Sequence, residues 1–202
     1  DWVEIYTRLV YWENEFDSSG AEGMEEVLKM QKTEANKEFS RFIRTHYEDW
    51  FSGRSSDVPL ISPQLLPKKV FPLLDQGKVM VIIIDNLRYD QWKIIEQEIG
   101  DLFRTDEETI FAGILPTATQ YARNAMFAGM MPGEIEKRYP NLWIEENAEG
   151  GKNANEEELC RLHMQRLGIK ASFNYVKINN QRAGKKLVDN SRDLLNYDLN
   201  IL

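Results

Sequence analysis

Hydrophobic residues fall into two rhythms along the chain, one of helical period and one of continuous apolar runs. Over residues 1–16, Trp2, Ile5, Tyr6, Leu9, Trp12 and Phe16 recur at helical spacing, which predicts an amphipathic helix. Ser18, Ser19 and Gly20 interrupt it, and Ser19 with Glu22 three residues on reads as a capping box that opens a second helix. The second helix carries Met24, Val27, Leu28, Ala35, Phe39, Phe42, Ile43 and Trp50 on one stripe. Together they predict a helical hairpin with an aromatic-rich apolar face. Two helices bury little by themselves, so this stripe, read as core, must pack on the rest of the chain, an upstream domain or a second copy.

The rhythm changes after residue 67. The intervening 52–67 holds Pro59, Pro63 and Pro67 among small polar residues, and reads as an extended connector. A short helical turn is expected at 68–75. Residues 79–84, V-M-V-I-I-I, then form an unbroken and mostly β-branched run, suited to a strand buried on both faces of a parallel sheet. Trp92, Ile95 and Ile99 predict a helix over 90–99, stopped by Gly100. Residues 109–115 read as a second strand, and 120–130 as a helix that ends near Gly129 and Pro132. A third strand is expected over 169–178 and a fourth from 197, with helices over 156–167 and 186–195 and Gly168 at a C-cap. The acidic, Gly- and Asn-rich stretch 144–158 reads as solvated surface. Strand and helix alternate, so the predicted fold is α/β, a mostly parallel sheet with flanking helices, preceded by the helical hairpin. The expected division is 1–67 for hairpin and connector and 68–202 for the α/β part.

Composition narrows the function without choosing it. A net charge of −8 argues against a duplex DNA-binding surface, which needs clustered Lys and Arg. No apolar run approaches the ~20 residues of a membrane span, and the start is no signal peptide. A single cysteine, Cys160, excludes an internal disulfide and fits a reducing, cytoplasmic compartment. The chain opens with Asp rather than Met, which reads as a piece of a longer protein.

Candidate chemistry gathers where two predicted strands end. Asp85 follows the first run and Thr119 lies in the polar turn after the second. In an open α/β sheet, ligands bind beyond the carboxyl ends of the strands. If the two strands are neighbours, Asp85 and Thr119 meet on one edge, where Asp85 holds a metal ion that activates the Thr119 hydroxyl for attack on phosphorus. The plainer alternatives are that Asp85 or Asp90 caps the next helix and that Thr119 caps its own. A phosphoacceptor role for Asp85 would require an acidic pair after an earlier strand, which the sequence lacks.

The strings I-I-I-D-N-L-R-Y-D-Q-W and I-L-P-T-A-T-Q-Y-A-R-N-A-M-F-A-G-M-M-P resemble the PglZ domain of the alkaline phosphatase superfamily, in the form found in PorX-type response regulators of type IX secretion. The resemblance implies a connector followed by the first half of a zinc-dependent phosphodiesterase-like effector, without its receiver. It makes Thr119 the nucleophile and a metal ligand, Asp85 a metal ligand and Asn124 a substrate-binding residue, with Thr117 second to Thr119. Arg88 and Asp90 are expected to form a structural ion pair. It implies zinc, two ions in the full-length protein. It also implies phosphodiester substrates such as oligonucleotides or cyclic nucleotides, and secretion-system or transcription-regulatory proteins as partners, while the aromatic face of the hairpin offers a homodimer contact. His46 and His163 follow no strand and are expected not to be ligands, so the remaining ligands are expected beyond Leu202 and the chain alone should be inactive. The alternative is a non-catalytic regulatory or dimerisation module.

Overall fold

A computed structural model describes residues 2–19, 23–52, 56–144 and 151–202. The chain divides into two compact units, one of residues 1–59 and 84–110, the other of residues 60–83 and 111–202.

The first unit is helical. Helix α1 spans Trp2–Ser19, α2 spans Glu25–His46, a short α3 spans Asp49–Ser52 and α4 spans Tyr89–Ile99. The expected hairpin is present, but Ser19 is the last residue of α1 and α2 begins only at Glu25. Met24 stands at the N-cap of α2 and makes no side-chain cap, while Glu22 lies outside the described residues. Trp2 sits between Phe39 and Phe42, with ring centroids 5.3 and 5.7 Å away, and Phe42 reaches Trp50 at 6.2 Å. The stripe read as core is only partly covered. Helix α2 buries no residue, and Val10 of α1 is the one buried apolar side chain of this unit among the described residues.

The second unit carries the α/β pattern. Strands β1 (Val79–Val81), β2 (Phe173–Tyr175) and β3 (Leu199–Ile201) form a parallel sheet in the order β1-β3-β2, with Leu199 opposite both Val79 and Phe173. The strand nearest the end of the sequence is thus the central one. One sheet face, with Val79, Val81, Leu199, Ile201, Phe173 and Tyr175, packs on helices α5 (Thr119–Ala128) and α7 (Glu156–Arg166). Phe127, Leu159, Cys160 and Met164 fill the layer between. Two further short helices are α6 (Pro132–Arg138) and α8 (Gln181–Asp189).

Three expectations are corrected here. The run 79–84 is not buried on both faces: Val79, Val81 and Ile83 pack on the core, whereas Met80 and Ile84 are exposed and Ile82 is 63% exposed, because alternate side chains point to the face that the core helices do not cover. Residues 109–115 form no strand, only an isolated parallel bridge between Ala112 and Ile61, with the Ala112 amide donating to the Leu60 carbonyl at 2.7 Å. The stretch read as a connector is packed from Leu60 onward, with Ile61, Ser62 and Leu66 buried; its residues 53–55 lie outside the described set. Proline did not signal exposure there. Pro63 and Pro67 lie in the first turns of a 3-10 helix at Ser62–Gln64 and a wider π-helical turn at Leu66–Val70, where a missing amide hydrogen costs nothing.

Candidate active site

Helix α5 organises the site, because it carries both Thr119 and Asn124. The segment before it is fixed from below: Ile114 is buried and its amide donates to the Ser62 hydroxyl at 3.1 Å. The chain turns through a cis Leu115–Pro116 peptide, and Ala118, in extended conformation, stands at the N-cap. Alanine has no side-chain acceptor, so the first turn of α5 has no side-chain cap. Thr119 is the first helical residue and is exposed; it is not the cap. Its hydroxyl therefore stands beside uncapped backbone N–H groups at the positive end of the helix dipole, which is an anion-binding arrangement. Thr117 is exposed in the preceding turn, where its methyl lies close to Gly113.

The rest of α5 is gripped along its length. Gln120 donates to the Ile144 carbonyl at 2.5 Å. Arg123 makes two bonds to Glu156, of 2.6 and 3.0 Å, and the Tyr175 hydroxyl donates to the same carboxylate at 2.6 Å. Glu156 is 0% exposed, against the expectation that 144–158 is solvated, because this charge is fully paired. Burial, and then the Glu156 bond, push the Tyr175 phenol up. Asn124 is 1% exposed; its amide nitrogen donates to the Lys152 carbonyl at 3.1 Å and its Oδ1 has no hydrogen-bond partner. Residues 145–150 of the acidic stretch lie outside the described residues.

The far end of α5 is held as firmly. His163 Nδ1 donates to the Phe127 carbonyl at 3.0 Å, and Arg166 donates to the Ala128 carbonyl at 2.5 Å. Gly129 takes φ +61, and a Cβ there would fall 2.1 Å from the His163 ring, so only glycine fits. Burial lowers the His163 pKa to about 4. The ring is neutral and donates Nδ1–H, which suits a structural histidine.

Asp85 belongs to the other unit. It is exposed, and Asn86 after it is left-handed, with φ +58. Neither Asp85 nor Asp90 caps α4, whose N-cap is Arg88. Arg88 instead pairs with Asp90 through bonds of 2.6, 3.0 and 3.2 Å, as expected of a structural ion pair, and the Arg88 bond holds the Asp90 carboxyl below its ordinary range. Strand β1, which ends four residues before Asp85, pairs with β3, whereas Ala112, upstream of Thr119, pairs with Ile61.

The described residues do not by themselves fit a zinc centre. No group of three or more His, Cys, Asp or Glu among them is placed to hold a metal ion. His46 stacks on Phe42 and bonds its carbonyl at 2.8 Å, His163 is engaged as above, and burial pushes the Cys160 thiol up to about 12. Among the described residues no helix is long and apolar enough to cross a membrane.

Glu156, Tyr175 and His163 carry no signal in the sequence that joins them to α5 and its Arg123. Arg123 and Glu156 are 33 residues apart, and the acidic run around Glu156 masks a buried carboxylate. Gly129 was legible as a helix stop, though not as the place where the His163 ring rests.

A family model described as the PorX response regulator linker domain matches residues 1–51. A second, described as the BREX system PglZ alkaline phosphatase-like domain, matches residues 65–198. Comparison with curated proteins returns no match. The second match covers most of the chain, and the parallel sheet with flanking helices is consistent with it. The chain therefore belongs to the PglZ alkaline phosphatase-like family, joined at its front to a linker of the PorX response-regulator type.

Proposed function

We propose that this chain is the linker and leading part of a response-regulator effector that hydrolyses phosphodiesters, with Thr119 as nucleophile. The observation that carries the reading is the exposed Thr119 hydroxyl on the first residue of α5, next to an uncapped helix N-terminus, inside the region that matches the PglZ family. Attack by Thr119 Oγ1 would form a Thr–O–P bond as the P–O bond to the leaving alcohol breaks. The hydroxyl proton passes to a base and the leaving oxygen takes up a proton. Charge on the non-bridging oxygens is stabilised by the first-turn amides of α5. Arg123 with Glu156, His163 and Arg166 keep that helix from reorganising during the step. The intermediate keeps the second ester group on phosphorus, and water then breaks its Thr–O–P bond, releasing the phosphomonoester and restoring the Thr119 hydroxyl.

The alkaline phosphatase-like superfamily is generally metal-dependent. We therefore carry zinc forward as the cofactor of the whole protein, with Asp85 and Thr119 as ligands. No step is routed through it, since the described residues do not complete a ligand shell. Asn124 is proposed on the substrate side, which requires its amide to exchange the Lys152 carbonyl for a phosphate oxygen. Oligonucleotides or cyclic nucleotides are the proposed substrates, and residues 1–67 and 68–202 the proposed division of labour.

A second reading is a non-catalytic module that dimerises or binds secretion-system or transcription-regulatory proteins. The partly exposed aromatic face of α1 and α2 favours it. Zinc content and phosphodiester hydrolysis of the full-length protein, measured beside Thr119→Ala, separate the two. Loss of hydrolysis in Thr119→Ala supports the enzyme, and wild-type hydrolysis in that variant removes Thr119 from the mechanism.

A further inference from the structure

Residues 84–110 fall inside the stretch that matches the phosphatase-like family, yet they share a compact unit with residues 1–59, which contain the linker match. Helix α4 lies on α1. The rings of Tyr6 and Tyr89 are 5.6 Å apart, and Asn14 donates to the Asp90 carbonyl at 3.5 Å. Burial, and then the Asp90 charge, push the Tyr6 phenol up. Further contacts brace α4. The Tyr89 hydroxyl donates to Glu108 at 2.6 Å, Lys93 bridges Glu96 and Glu108 at 2.9 and 2.5 Å, and Thr105 donates to Glu96 at 2.9 Å.

The turn that holds Asp85 is short and stapled to the start of the same helix. Asn86 reverses the backbone at φ +58, the Arg88 amide donates to the Gln91 side chain at 3.1 Å, and Arg88 clasps Asp90. A displacement of α4 is therefore passed to Asp85 with little slack in between. The slack lies on the other side of α4. A cleft of about 300 Å³ opens between the helices, lined by Thr7, Tyr11 and Asn14 of α1 and by Tyr89, Lys93 and Gln97 of α4. Of the residues that line it only Val10 is buried, so the two helices meet there across a surface cleft and not through a packed core, and the joint has room to shift.

We propose that the α1–α4 joint is the connection through which the linker acts on the phosphatase-like domain. A shift of the hairpin is delivered by α4 to the turn carrying Asp85. The consequence for hydrolysis rests on the function proposed above; the mechanical connection does not.

Hydrogen–deuterium exchange on the full-length protein tests the joint. Tyr6→Ala removes an aromatic pair of modest strength, so amides of residues 89–99 should exchange about threefold to tenfold faster. Tyr6→Phe keeps the ring and should leave them unchanged. Coupling is reciprocal, so Tyr89→Ala should speed exchange over residues 2–19. Unchanged exchange at 89–99 in Tyr6→Ala overturns the proposal. An equal rise in α5 also overturns it, since that reports general loosening. If Thr119→Ala abolishes hydrolysis, Tyr6→Ala should lower the rate while Tyr6→Phe keeps it; a wild-type rate in Tyr6→Ala overturns the delivery to Asp85. If Thr119→Ala hydrolyses normally, the function proposed above falls, and exchange still decides the joint.

Discussion

Helices α2 and α5 begin from similar amphipathic patterns and end in opposite surroundings. Helix α2 is more than twice as long and buries no residue, whereas α5 buries Gln120, Asn124, Ala125, Met126, Phe127 and Ala128. The difference lies in what covers them. Around α5 stand α7, a sheet face and the turn at Ser62–Gln64; α2 has α1. An apolar stripe states that a helix has something to bury, and only the neighbouring elements decide whether it is buried. The polar residues of α5 follow the same logic: Gln120 and Asn124 are buried because carbonyls of Ile144 and Lys152 meet them.

The contrast breaks most severely at Gly129. Alanine there meets the His163 ring and holds a left-handed φ, so Gly129→Ala should cost about 4 kcal/mol or more in denaturant unfolding. Adding His163→Ala removes the obstructing ring, and the double variant should be more stable than the summed single losses allow. Strict additivity would mean that the ring does not press on Gly129. Next in size is Glu156→Ala. It leaves the Arg123 guanidinium, mostly shielded from water, without the carboxylate it faces, and should cost about 3–4 kcal/mol. A loss within ~0.5 kcal/mol would show the pair to be solvated.

The third test uses pH. His163 titrates near 4 when folded, against about 6.5 when unfolded, so the unfolded chain binds the extra proton first. Its contribution is complete above about pH 6.5, declines as pH falls and is lost by about pH 4, a loss of about 3 kcal/mol. His163→Gln should be less stable at neutral pH and should flatten the stability profile between those limits. An unchanged slope would mean that the imidazole is solvated.

The helices were the legible part of this fold. The spacing of Trp2 and Tyr6, of Trp92 and Ile99, and of Leu159 and Leu162 located α1, α4 and α7 to within a few residues of their ends, whereas the stripe from Met24 to Trp50 overran α2, which stops at His46 and leaves Trp50 on α3. Strands were legible as apolar runs but not in their pairing, because nothing local tells 79–84 that its neighbour is Leu199 or tells Ala112 that it meets Ile61. Thr119 stood out by its place after an apolar run. The groups that steady its helix did not, since a buried Glu156 reads like any other acid in an acidic stretch, and His163 sits between apolar residues as many unremarkable histidines do.

The smallest effect is expected on α2, and it is the sharpest test of the comparison. Met30 is 66% exposed, so replacing it with Gln removes little buried area, and Met30→Gln should change stability by no more than about 0.5 kcal/mol. The same exchange at Met126 of α5, which is buried, should cost several times as much, since it places an amide in an apolar layer. If Met30→Gln instead costs about 1 kcal/mol or more, α2 is covered in solution by something outside the chain. Concentration then identifies the cover: a loss that grows with protein concentration means that copies of the chain associate through this face, because binding to the folded state stabilises it by mass action.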